Sequence, residues 1–356
     1  MNDFFEIDFL DVEAAKSGDA ITIRYFKNGT QSIHVVDGGF KDTGLKIVQH
    51  IKKYYNTSEI DRVILTHNDG DHARGLIEVL ENCKVGELWM LKPWDYVDEL
   101  IGRFSRFKNK ERLADRLKKC YPNIAALEEI ANRKRIAIKE PFQGARIGAF
   151  TVLAPTKESY LKLIEQSDRT PEIKPEINLA QESFASLGEA LGAIPLEWGD
   201  ENLPNKPTSE ENNMSIIQYT ELNNKKILLT GDAGRETLEE AKDYLSNNLL
   251  VSLPGIDYFQ VPHHGSRRNI SSELLDEICG EKLPFWEKGK RNFTAVISSA
   301  KKDKDHPRKA VVRALIHRGA KVITTEGKTI RCSKSAPIRE GWVPVKPEAY
   351  PEDQED

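Results

Sequence analysis

Val63-Ile64-Leu65-Thr66-His67-Asn68-Asp69-Gly70-Asp71-His72 decides how the rest of the chain is read. It opens as a short β-branched apolar run, the pattern of a buried strand. It closes on two histidines and two aspartates within six residues, broken at Gly70. Turn chemistry accounts for Asn68, Asp69 and Gly70, but it does not favour His67 or His72. Four ligand-type side chains at this spacing cannot share one face of a strand or helix, so the spacing predicts a loop that folds back just past the strand end. Imidazole and carboxylate donors together suit zinc, manganese or iron. Their alternation predicts two neighbouring ions, each taking part of the loop.

Two stretches downstream repeat the pattern of a strand that ends in ligand-type residues. Ile227-Leu228-Leu229-Thr230 runs into Gly231-Asp232, and Phe259-Gln260-Val261-Pro262 runs into His263-His264-Gly265-Ser266. Taken alone, Asp232 reads equally as the N-cap of a helix from Arg235 to Tyr244, and a histidine pair fits a solvated turn. Beside the His67 stretch, both read as the second half of a metal site. Upstream, Asp37-Gly38-Gly39 ends a strand, and Asp37 is either a turn residue or a group that orients the metal loop from behind.

The His67–His72 stretch, with Gly75 three residues on, resembles the His-x-His-x-Asp-His loop of metallo-β-lactamase fold hydrolases, with Asp in place of the second His. It is most similar to the hydrolase domain of ComEC-type competence proteins. Gly18-Asp19-Ala20, Asp37-Gly38-Gly39, Gly231-Asp232, His263-His264-Gly265-Ser266 and the His306-Pro307 pair follow the same pattern. The resemblance implies an α/β fold, the metallo-β-lactamase-type αββα sandwich, with metals at one edge. It also implies two divalent ions, Zn2+ or Mn2+. His67 and Asp69 would hold one ion, Asp71 and His72 the other, and Asp232 both. One of His263 and His264 would complete the second shell, while the other contacts substrate or moves a proton. Asp71 is the candidate general base, and His306 is a candidate ligand or phosphate contact. The activity implied is hydrolysis of a phosphodiester, nucleic acid among the candidates, by water activated between two metals. Another ester, lactone or amide, or a non-catalytic metal-binding subunit, are the alternatives. The chain departs from the wider fold in one respect: no His lies between His72 and His263. Asn212 or water would then have to fill the first ion's shell.

The 356 residues suffice for one or two domains. With 39% hydrophobic and 30% charged residues, the composition is that of a water-soluble globular chain, and no run has the roughly 18 apolar residues that span a bilayer. The acidic opening lacks a signal peptide's basic n-region. Four dispersed cysteines read as reduced thiols, which together predict a cytoplasmic protein with no membrane partner. A net charge of −4 argues against a globally basic nucleic-acid binder. We expect one hydrolase domain over residues 1–340, with a helical insertion at about 94–137 and a loop-rich one at about 167–210. A disordered acidic tail is expected over 343–356. Arg103 to Lys119 carries eight Lys/Arg against two acids. That run is either a solvated helix face or a basic cover for a phosphate backbone.

Overall fold

The computed structural model describes residues 2–169 and 197–355. Most of the expected loop-rich insertion therefore lies outside the described residues. The remainder is a sandwich of two seven-stranded sheets flanked by helices, the metallo-β-lactamase-type αββα fold. The strands are β1 Phe4–Phe9, β2 Ala20–Lys27, β3 Thr30–Gly38, β4 Glu59–Ile64, β5 Lys84–Trp89, β6 Ala137–Lys139, β7 Arg146–Ile147, β8 Phe150–Ala154, β9 Ile217–Leu222, β10 Lys225–Leu229, β11 Tyr258–Gln260, β12 Phe293–Ile297, β13 Ala320–Thr324 and β14 Ile330–Lys334. One sheet has the order β14-β1-β2-β3-β4-β5-β6, the other β13-β12-β11-β10-β9-β8-β7.

The hairpins β2–β3, β7–β8 and β9–β10 are antiparallel. The runs β3–β4–β5–β6 and β10–β11–β12–β13 are parallel with helices between successive strands, as crossover geometry requires. The pairs β1–β2, β1–β14 and β8–β9 are antiparallel across longer connections. Asn28-Gly29, both with positive φ, close the β2–β3 hairpin, the backbone that Asn-Gly favours. Between the sheets pack Phe5, Ile21, Ile23, Val36, Ile227, Leu229 and Val296. The parallel strands β3, β4, β10 and β11 end at one edge of the sandwich, and their C-terminal loops carry the ligand-type residues. This is where α/β sheets place sites.

Four readings need correction: the metal loop and the tail above, the single strand that alternation over residues 145–154 predicts, and the N-cap that Asp42 offers to a helix over about residues 43–54. The metal loop is shorter than its sequence suggests, because Gly70 begins a helix (Gly70–Asn82) rather than opening the loop. Asp71 and His72 stand in that helix's first turn. The 145–154 run is a hairpin, turning at Gly148 with φ +60. Asp42 lies in the first turn of Lys41–His50 and does not cap it. Finally, the acidic tail is docked. Glu348 N–H donates to Val322 O (2.9 Å), Tyr350 packs on Trp198 (centroids 5.2 Å apart), and the Glu355 carboxylate accepts from Lys309 N–H and Ala310 N–H (2.8 and 3.1 Å). The segment after β5 forms the helices Lys110–Cys120 and Pro122–Lys134.

The Gly70–Asn82 helix lies tight against its neighbours. A Cβ on Gly75 would sit 1.9 Å from Gly38 O, and one on Gly44 2.1 Å from Gly75 O. We expect Gly75→Ala to push the helix carrying Asp71 and His72 away from β3, at a cost of about 1–3 kcal/mol. Thermal and urea unfolding check this, and an unchanged midpoint would refute the close-approach argument.

Candidate metal centre

Asp232 is the hub. It is 2% exposed and follows β10 at Gly231, whose positive φ turns the chain over Thr66. Its carboxylate lies 3.2 Å from His72 Nε2, 3.8 Å from His67 Nε2, 3.8 Å from His264 Nε2 and 3.7 Å from His263 Nε2. His264 Nε2 lies 3.5 Å from Asp71 Oδ2.

Three of the imidazoles are locked from behind. His72 Nδ1 donates to Asp37 Oδ2 (2.8 Å), and His264 Nδ1 donates to Ser298 O (2.9 Å). His67 Nδ1 lies against Thr66 Oγ1 (3.1 Å), whose own proton goes to Asp37 Oδ2 (2.6 Å). Asp37 also accepts from Thr66 N–H (2.8 Å), so one buried carboxylate orients two histidines. In each ring Nε2 is buried with no hydrogen-bond partner among the described residues, and so is Asp232 Oδ1. Orphaned buried polar atoms are rare. A set of orphans converging on one point, each imidazole fixed through its other nitrogen, is the donor arrangement of a metal centre. Among the described residues, four triads have ligating atoms within 4.8 Å of one another: His67, His72 and Asp232; Asp71, His72 and His264; Asp19, Asp37 and His72; and Asp19, Asp232 and His264.

The remaining candidates stand further out. Asp69 Oδ2 is 3.8 Å from His67 Nε2, while its Oδ1 pairs with Arg169 (2.7 Å). His263 is not among these triads. Its Nδ1 hydrogen-bonds Asn269 Oδ1 (3.1 Å), and its ring lies 5.5 Å from that of His306, whose Nδ1 donates to Asp303 (3.3 Å). Asn212 reaches His263 (3.1 Å) rather than His67. His263 and His264 both adopt left-handed backbone, with φ 47 and 56. Such strain costs of the order of 1–3 kcal/mol per residue and concentrates at functional sites. Here it turns the two rings in different directions. Asp19 also reaches the cluster. The sequence offered it only within Gly18-Asp19-Ala20, a match to the family pattern that closes the first loop, with no ligand role.

The charges follow from this geometry. Burial disfavours a charged His264, but Asp232 and Asp71 outweigh it and raise its pKa to about 9. His72 is likewise raised despite burial, by Asp232 and Asp37. Burial opposes ionisation of Asp232 and Asp71 too, but the facing imidazoles hold both below the ordinary carboxylate range. His263 goes the other way, since burial lowers it to about 4. A cation taken up at His264 Nε2 must displace a proton across the whole range below about pH 9. Metal affinity should therefore strengthen with rising pH, about tenfold per unit for each proton displaced. Titration calorimetry at pH 6 and pH 8, in buffers of different ionisation enthalpy, reads this directly, and a pH-independent affinity contradicts it.

Residues 20–150 match the model of the metallo-beta-lactamase superfamily, a span that holds His67, Asp69, Asp71 and His72 but not Asp232 or the His263-His264 pair. No curated protein matches the chain by sequence. Solved structures similar to it include a diphosphatase of the PhnP family (11% identity over 92% of this chain and 97% of that one, TM-score 0.34) and the Rm3 metallo-beta-lactamase (9%, 72% and 78%, 0.33). A third is AidC, a dizinc quorum-quenching lactonase (12%, 60% and 56%, 0.30), so the chain spans just over half of that lactonase. Among the described residues no helix is long and apolar enough to cross a membrane. All four cysteines are free.

Proposed function

We propose that this protein is a metal-dependent phosphodiesterase whose two divalent ions, zinc or manganese, share Asp232. The observation that carries the reading is the convergence of three back-locked imidazoles on that carboxylate, each with a bare Nε2. His67, with Asp69 at its edge, would hold one ion. Asp71, His72 and His264 would hold the other. Bound there, the ions would bring a water's pKa towards neutrality and polarise the scissile group's oxygen.

The chain's own groups do the rest. Asp37 keeps His67 and His72 in the tautomer that leaves Nε2 free. His263, neutral and half-buried, presents Nε2 at the mouth of the site, where it can hold or pass a proton to a leaving oxygen. Asp303 orients His306 beside it. The phosphodiester reading is supported by exposed basic side chains on this side, Arg268, Lys301, Lys302 and Lys304. Further support comes from the insertion, whose Asn123 side chain donates to Asn68 O (2.7 Å) and so ties the helix Pro122–Lys134 to the metal loop. Lys108, Arg112 and Lys119 are exposed on that insertion. They make it a cover suited to a polyanion such as nucleic acid. The ordered motifs from Gly18-Asp19 to His306-Pro307 favour the ComEC-type branch.

The test is hydrolysis of a chromogenic phosphodiester and of labelled single- and double-stranded DNA, with Mn2+ or Zn2+ added. Metal-dependent cleavage is expected. Failure of the metal-loaded protein to cleave any of them would sink the phosphodiester reading and turn attention to esters and lactones.

A further inference from the structure

We propose that Asp19 is a metal-binding carboxylate of this centre, serving the ion that His264 and Asp232 hold. The inference rests on the two-ion reading above and adds to it a residue from an element remote in sequence. Asp19 stands just before β2 and is 1% exposed. Its Oδ2 accepts from Gln260 Nε2 (2.9 Å), but its buried Oδ1 has no hydrogen-bond partner among the described residues. Asp19 offers an oxygen within 4.8 Å of ligating atoms of both Asp232 and His264, and likewise of Asp37 and His72.

The backbone holds it there. Asp19 N–H donates to Asp71 O (3.2 Å), and Gly39 N–H donates to Asp19 O (2.7 Å). A Cβ on the preceding Gly18 would lie 2.6 Å from Asp71 O. The Gly-Asp pair is thus pressed against the first turn of the helix that supplies Asp71 and His72. A sealed carboxylate with one oxygen unsatisfied is costly unless a cation takes that oxygen.

Charge balance points the same way. Two divalent ions carry four positive charges, the imidazoles offset none of them, and Arg169 already claims part of Asp69. Asp232 and Asp71 alone leave the centre strongly positive. Asp19 adds a further buried carboxylate beside Asp232.

Asp19→Asn tests this, because the amide oxygen can still accept from Gln260 while the charge is lost. Metal content is measured by elemental analysis against a graded chelator, alongside the visible spectrum of the Co2+-loaded protein. We expect wild type to retain two equivalents where Asp19→Asn retains one, with a changed cobalt spectrum. Two equivalents with an unchanged spectrum overturn the proposal. Weakened affinity with an unchanged spectrum overturns it as well, since that is what a residue acting only through Gln260 would produce. A wild type that binds no metal overturns this proposal together with the two-ion reading, which separates the two failures. Melting of the metal-free variant controls for folding. If Asp19→Asn does not fold, Asp19→Ser is read by the rise in melting temperature on adding Zn2+, which must be smaller than in wild type; an equal rise overturns the proposal.

Discussion

Asp232→Asn should lower metal-dependent phosphodiester turnover at least about a thousandfold while leaving a folded protein. Four imidazole Nε2 atoms lie between 3.2 and 3.8 Å from this one carboxylate. Burial opposes its charge, but His72, His264 and His263 keep it ionised well below the usual range. The amide has nearly the same shape and can still be packed by Ser215, whose Oγ accepts from the Asp232 N–H (3.1 Å). What it lacks is the charge that offsets the repulsion between two cations. Stabilisation of a transition state by bound metal is worth several kcal/mol, and each 1.36 kcal/mol is tenfold in rate. Losing about 4 kcal/mol accounts for the factor. The comparison is kcat/KM for wild type and variant at saturating Mn2+ or Zn2+, with metal content measured on the same samples. A variant within tenfold of wild type would remove Asp232 from the centre of the mechanism.

Much of this centre was legible because metal donors are chemically conspicuous. Cap and turn chemistry explains Asp232 or the histidine pair when each is read alone, but not three apolar runs that all end in ligand-type residues, so His67, Asp71, His72, Asp232 and the His263-His264 pair stand out when read together. Geometry was less legible. The helix holding Asp71 and His72 starts with Gly70 and contains Gly75, and glycine is a poor helix former. Asp69 would be a natural cap, but its side chain faces Arg169 and makes no capping bond. Packing of Gly75 against Gly38 and Gly44 outweighs local propensity there. The choice between His263 and His264 rests on two left-handed residues and on the Ser298 carbonyl behind one of them, neither of which leaves a local signal. Asp19 is the clearest case, since in the chain it is only the middle of Gly18-Asp19-Ala20 at the close of the first loop. Only the long-range pairing that brings Gln260 and the Asp71 carbonyl to it gives it another role.

Arg339→Ala should destabilise the fold by about 3–5 kcal/mol, although Arg339 lies far along the chain from any metal donor. The alternation in β1 suggests that Glu6 and Asp8 face water, yet all six β1 residues are buried and both acids are 0% exposed. The segment after β14 covers them. Arg339 forks onto Asp8 through Nη1 and Nη2 (2.9 and 2.7 Å) and reaches Glu6 Oε2 (2.9 Å), with its guanidinium 4.5 Å from the Tyr54 ring centroid. Glu6 keeps Arg24 (2.6 Å) and Arg331 (2.8 Å) when Arg339 is removed. Asp8 keeps only His50 (3.0 Å) and Tyr55 (2.7 Å). Stripping one partner from a buried pair leaves a charge that neither water nor protein balances, which is the costly case. Arg339→Lys should recover only part of the loss, because an ammonium cannot reproduce the two-pronged geometry. Acid sensitivity gives an independent readout. Burial pushes the Asp8 carboxyl up, but His50 and Arg339 bring it below 3.8. Its stabilising contribution is therefore complete above that pH and is lost as pH falls through the depressed folded value. Without Arg339 the effect of burial gains ground and the folded value rises, so the variant's folded state takes up a proton at higher pH and is relieved there of its unpaired charge. Urea unfolding at pH 7 and at pH 4.5 should then show a smaller gap between variant and wild type at the lower pH. A loss under 1 kcal/mol at neutral pH, or a gap that does not narrow with acid, would mean that His50 and Tyr55 satisfy Asp8 by themselves.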